Sequence, residues 1–260
     1  NKAILATSPS SHSAHQGADN IRASLAHITA LRAQAAGDAA LAAAVAQVKH
    51  VQSRRFAGSY ADLLAAPATQ AAARFFLEEL YGERDYSERD AQFARIAGAL
   101  QKLFPAQVTA TALMLAQLHA STETLDHAMA QAWLATDPAR TDAARYLQAW
   151  RSVGQRPERE AQLAGVLAIG QELDRLTRTP GLRLMLKMMR GPAKAAGLNA
   201  LQRFLEAGFD TFADLGKQKN GVAQFLGTVQ TREADLMAQL FDADFVTCET
   251  RLQSLLGQAR

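Results

Sequence analysis

Apolar residues recur every three to four positions along almost the whole of this 260-residue chain, and nowhere do they alternate. Ile21, Leu25, Ile28 and Leu31 gather on one face of a helix but scatter over both faces of a strand. The same spacing carries Phe93, Ile96, Leu100, Leu103 and Phe104, then Val108, Leu115, Leu118, Thr122, Leu125 and Met129. It returns in Leu198, Leu201, Phe204, Leu205, Phe209 and Phe212. Val, Ile and Thr never cluster into alternating runs. Alanine tracts such as Ala39-Ala40-Leu41-Ala42-Ala43-Ala44 favour helix and let helices approach closely. The chain is therefore expected to be all-α, a multi-helix bundle with no β-sheet.

Glycine and proline set the divisions. Breaks at Gly37, Gly58, Pro67, Gly82, Pro105, Pro138, Gly154, Pro180, Pro192 and Gly221 predict about ten helices. Asp38 is placed to cap the helix carrying Leu41, Val45 and Val48. Ser87-Glu88-Arg89-Asp90 reads as a capping box with the shorter acid, and Asp137-Pro138 as cap and first helical residue. One helix is expected from Pro192 to Leu215. No repeat of fixed length is present, so a solenoid is not expected. The expected organisation is a weakly ordered segment over 1–17 and a single helical domain over 18–241. That domain has a possible seam between packed halves near 138–154. A tail or short helix is expected over 242–260.

Composition removes several function classes. The net charge of +3 is far below the dense basic patch of a nucleic-acid binder, so no nucleic acid is expected as partner. Cys248 is the one cysteine, which excludes an internal disulfide and a thiolate metal cluster. It fits a reducing compartment, and a cytoplasmic location is expected, although a disulfide-free chain is also compatible with the periplasm. The apolar run Ala3 to Ala6 is too brief for a secretory signal, and no apolar stretch is long enough to span a bilayer. Glycine-rich phosphate loops and a serine nucleophile elbow are absent.

The segment Phe75-Phe76-Leu77-Glu78-Glu79-Leu80-Tyr81 resembles the signature of a bacterial family, the FFLEELY-motif proteins. The likeness continues through Gly82, Asp85, Ser87 and Arg89-Asp90-Ala91-Gln92, through Met189-Arg190-Gly191-Pro192-Ala193, and through Leu201 to Phe212. It covers the chain from about Val48 to Phe241. The resemblance carries over no catalytic residue.

Read as a helix, the motif puts Phe76, Leu77, Leu80 and Tyr81 on a broad apolar face, with Phe75 to one side and Glu78 and Glu79 flanking it. One reading is a buried helix whose carboxylates cap or pair with arginines. The other is a pocket carboxylate between aromatic walls, where burial raises the pKa and suits acid–base work. Phe75, Phe76, Glu78, Glu79 and Tyr81 are candidate ligand-binding residues on that second reading. Arg190 and Lys194 join them, because they flank Gly191-Pro192, a helix start that can hold an anion.

His119, Glu123 and His127 follow at intervals of four, with Asp126 beside them. They span about 12 Å of helix axis, so one ion cannot take all three without further ligands. No metal and no cofactor is assigned, and the three are expected on a solvated polar face with one half-buried histidine. Between Arg175 and Arg203, basic residues run without an interrupting acid among Leu182, Leu184, Met185, Leu186, Met188 and Met189. Such a segment is core on one side and solvated charge on the other, or a surface for a protein, an anionic ligand or a membrane.

With no catalytic constellation assembled, the leading expectation is a non-enzymatic helical binding or adaptor protein. Its expected partner is a protein or a small apolar or anionic ligand. The alternative is a small-ligand-binding protein or enzyme with an apolar pocket near the Phe75–Tyr81 helix. The sequence leaves oligomeric state open.

Overall fold

The computed structural model describes residues 9–80 and 82–259. Among these residues the architecture is an all-α multi-helix bundle with no strand. Its helices are α1 (Pro9–Ala36), α2 (Ala39–Ser59), α3 (Ala61–Ala65), α4 (Gln70–Phe75), α5 (Ser87–Leu103), α6 (Ala106–Leu134), α7 (Asp142–Val153), α8 (Arg156–Thr177), α9 (Leu182–Met188), α10 (Arg190–Ala195), α11 (Asn199–Leu215), α12 (Gly221–Asp242) and α13 (Phe245–Gln258). A π-helical turn, Phe76–Leu80, continues α4.

The longest helix, α6, is the hub, packed by α1, α2, α5, α7 and α8. Its neighbours form four apolar clusters around it. Ile21, Leu25 and Ile28 of α1 meet Ala97 of α5 and Ala116 of α6. Val48 of α2, Met129 and Trp133 of α6, Leu147 of α7, Leu236 of α12 and Leu252 of α13 share a second cluster. A third gathers Phe56, Phe75, Phe76, Phe212 and Phe225, and the fourth Leu176, Leu182, Leu186 and Phe209.

Several local rules hold as read. The Asp38 side chain accepts from the backbone amides of Ala40 and Leu41, satisfying donors that the first turn of α2 leaves free. Others give way to tertiary packing. Gly58 does not break its helix: α2 continues to Ser59, and Gly58 is buried where the Leu255 backbone of α13 crosses it. A side chain there would strike the Leu255 carbonyl, so this glycine serves close approach. Asp137-Pro138 forms a turn, and Thr141 caps α7 by accepting from the Ala144 amide. The expected Pro192–Leu215 helix is divided at Ala196–Leu198 into α10 and α11. The last residues form a full helix, α13, capped by Asp244 and burying Cys248, Leu252 and Leu256.

Candidate functional site

The motif helix departs from α geometry at its centre. After Phe75 the backbone widens into the π-helical turn, and both phenylalanines face inward instead of Phe75 lying to one side. A π-turn inserts a residue into the helical ladder, and such bulges cluster at functional sites. Phe76 packs against Phe225 and Phe212, with ring centroids 5.2 and 6.3 Å away. Phe75 stacks on Phe204 at 5.9 Å and lies over Gly208, where the absent side chain leaves room for the ring. A small apolar cavity of about 40 Å³ remains behind the pair. Tyr81 lies outside the described residues.

The two motif carboxylates diverge. Glu78 turns to the surface and pairs with Arg84 at 2.9 Å. Glu79 lies between Arg84 at 3.4 Å and Arg89 at 3.6 Å. Glu79 and Leu80 form the rim of an interior chamber of about 70 Å³ that lies between α2, α5, α6 and α8. Arg89 is held there by rings on both sides, with its guanidinium carbon 4.2 Å from the Tyr86 centroid and 4.6 Å from that of Phe204. Burial pushes the Tyr86 hydroxyl up to about 12, against the pull of Arg89, so it remains a protonated donor.

Charged side chains line this chamber. Lys49 of α2 donates to Glu123 of α6 at 2.6 Å, and both are largely buried. Asp90, the fourth residue of the expected capping box, turns into the protein. There it accepts from His119 Nε2 at 2.8 Å and pairs with Arg32 at 2.9 Å. Burial works against the Asp90 charge. The hydrogen bond from His119 and the charges of His119, Arg89 and Arg32 outweigh it and hold this carboxyl below its ordinary range. Asp126 behaves oppositely. Burial, reinforced by the charge of Glu123 and opposed by Lys49, pushes its carboxyl up to about 6.

Gln52, Thr122, Asp126 and Gln162 also belong to the wall of a second chamber of about 70 Å³, reaching towards α7 and α12. There Arg55 donates to Glu233 at 2.6 Å, and Tyr60 donates to the same carboxylate at 2.8 Å. Desolvation would lower the Arg55 pKa, but Glu233 overrides it and keeps the guanidinium charged. Arg159, 3% exposed, lies over the Trp150 ring with its guanidinium carbon 3.4 Å from the centroid.

The structure thus redistributes the sequence candidates. His119, Glu123 and His127 reach Asp90, Lys49 and Gln131 respectively. Glu123 and His127 are buried, so this face of α6 is not solvated. Among the described residues no three metal-capable side chains converge. Arg190 is engaged by Glu206 through both carboxylate oxygens, at 2.7 Å, and Lys194 lies exposed near the end of α10. The basic segment is partly neutralised by acids of α8 and α11. Arg175 pairs with Glu172, Arg178 with Asp174 and Arg183 with Asp210.

Sequence reasoning passed over Lys49, Arg159 and Trp150 and gave Asp126 no role. The available signal was the position of His119 and Asp126, each directly following a leucine of the α6 stripe. A helix packed from several sides buries such flanking positions too.

No helix among the described residues is long and apolar enough to cross a membrane. No curated protein and no solved structure matches the chain. Residues 31–246, from the end of α1 into α13, match the family described as a domain of unknown function, DUF8198. The match takes in the motif turn and, apart from Leu25 and Leu252, the residues lining both chambers, and the chain belongs to the DUF8198 family.

Proposed function

We propose that this chain is a helical small-ligand-binding protein of a bacterial cell, sharing the FFLEELY signature, and that its ligand occupies the interior chambers. The observation that carries this reading is the charge facing those chambers: Lys49, Glu123 and Asp126 in one wall, Arg55, Arg159 and Glu233 in the next. Each buried ion costs several kcal/mol in desolvation, and replacing a buried ion pair by apolar residues of similar size is often neutral or stabilising. A bundle with four apolar clusters has no folding need for so many interior charges. Interior cavities with a few convergent polar groups and a perturbed carboxyl are the usual form of a ligand site. The ligand expected here is polar, unlike the apolar one that the motif alone suggested.

The test is thermal denaturation of the full chain against small carboxylates, phosphates, amines, sugars and nucleosides. At least one class should raise the melting temperature of the native protein and lose that effect in Lys49→Met or Arg159→Gln. If no class shifts it, or every shift survives both substitutions, interior binding is wrong.

A second reading, protein docking, rests on α9. Leu184 and Met188 are 63% and 69% exposed beside Arg183 and Lys187, an apolar strip with a basic border. Unchanged sedimentation and partner capture by the Leu184→Asp, Met188→Asp double variant would dismiss it.

A further inference from the structure

The guanidinium of Arg159 is buried, held on two sides and unsatisfied at one nitrogen. Its Nε donates to the Gly154 carbonyl at 3.1 Å, and its plane is covered by the Trp150 ring. Its Nη2 is buried without a hydrogen-bond partner, as is the indole Nε1 of Trp150. Among the described residues Arg159 makes no ion pair. Asp126 exerts its charge on it from the shared wall without bonding to it. A buried unpaired donor carries the full cost of desolvation, and buried donors are almost always satisfied. Two such donors on residues that line one cavity call for an acceptor reaching them from it.

We infer that the Arg159–Trp150 pair binds the carboxylate of a small monocarboxylic acid, which deepens the interior-ligand reading and rests on it. One guanidinium edge and one indole N–H match the two oxygens of a carboxylate. A phosphate would bring more acceptors and more charge than the pair offers. Arg55 in the same chamber is already neutralised by Glu233, leaving Arg159 as the cation for the ligand. The rest of the wall includes Leu163, Leu236 and Leu240, which suit a short apolar tail. A cavity of about 70 Å³ sets the size. Since a cavity of about 150 Å³ holds the six heavy atoms of benzene, one half that size limits the acid to about one or two carbons.

Titration of the full chain with acetate and the larger butyrate, and with the neutral acetamide as control, tests this. The chain has two tryptophans, Trp133 and Trp150. The ¹⁵N indole resonance absent from the Trp150→Phe protein identifies Trp150. Acetate should move that resonance at lower concentration than butyrate, and acetamide should not move it. Trp150→Phe should weaken binding about 5-fold and Arg159→Gln at least about 10-fold, the difference between a neutral and a charge-assisted hydrogen bond. The indole titration of the native protein decides the question even if Arg159→Gln does not fold. Equal response to acid and amide, no response to any acid, or full affinity in folded Arg159→Gln would overturn the carboxylate site. Binding of another ligand class, lost in Lys49→Met, would overturn this inference while leaving the interior-ligand reading intact.

Discussion

Replacing Asp126 by Asn should make the protein more stable at neutral pH. Asp126 is 6% exposed, and burial together with the charge of Glu123 pushes its carboxyl from 3.8 up to about 6, against the attraction of Lys49 and Arg159. A pKa raised in the folded state means that the fold holds this proton more tightly than the unfolded chain does. The favourable contribution is present below about pH 4 and is lost as pH rises through about 6. Above that, the ionised carboxylate disfavours the fold by about 3 kcal/mol, taking about 1.4 kcal/mol for each unit of difference. Asparagine keeps the shape and an acceptor for Gln52, and it cannot ionise. Guanidinium denaturation of both proteins across pH 3.5–8 measures the difference. The variant should gain about 3 kcal/mol at pH 7.5, about 1 kcal/mol at pH 4.5 and almost nothing at pH 3.5. A variant less stable than the native protein at pH 7.5, or a gain that does not fade in acid, would refute the assignment of an uncompensated buried carboxyl. Stability regained by deleting a charge would also mark Asp126 as retained for function.

Three further substitutions or reactions probe the frame around the chambers. Gly58→Ala should cost about 3 kcal/mol or more, because the new methyl meets the Leu255 backbone and displaces α13; thermal unfolding and loss of protease resistance at residues 245–258 would report it. Phe76→Ala should cost about 3–5 kcal/mol in chemical denaturation, since this 2%-exposed ring anchors Phe212 and Phe225; a loss under about 1 kcal/mol would show that the π-turn does not organise that cluster. The Cys248 thiol, 1% exposed and pushed up by burial against the pull of Arg151 and Arg251, should react with a disulfide reagent only at the rate of unfolding; rapid labelling of the native protein would contradict the packing of α13.

How much of this was legible in the sequence depends on the range of the interactions involved. The helices follow from apolar spacing, and the Asp38 cap follows from a contact two and three residues away. Gly58 could not be read in the same way. What fixes it is the Leu255 carbonyl, nearly two hundred residues later in the chain, and sequence shows a glycine without showing what crosses it. Asp90 is similar. Within four residues it looks like part of a cap, yet its partners Arg32 and His119 come from α1 and α6 and offer stronger charge-assisted bonds than a helix terminus does. The site follows the same logic more severely. Motif spelling drew attention to Glu78 and Glu79, which pair with the nearby Arg84. The interior charges are brought together from α2, α6, α8 and α12, and each alone looks like one polar residue beside an apolar stripe. Lys49 and Glu123 are separated by 74 positions, and Arg55 and Glu233 by 178. Only the packing of α2 against α6, and of α12 alongside, turns them into facing pairs. The motif helix borders the chamber for a physical reason. Phe75 and Phe76, where α4 passes into the π-turn, are both buried, and their rings pack on α11 and α12 while the end of the turn lines the chamber. The Phe75–Leu80 segment therefore borders the chamber, and the charges inside it are supplied by helices from elsewhere in the chain.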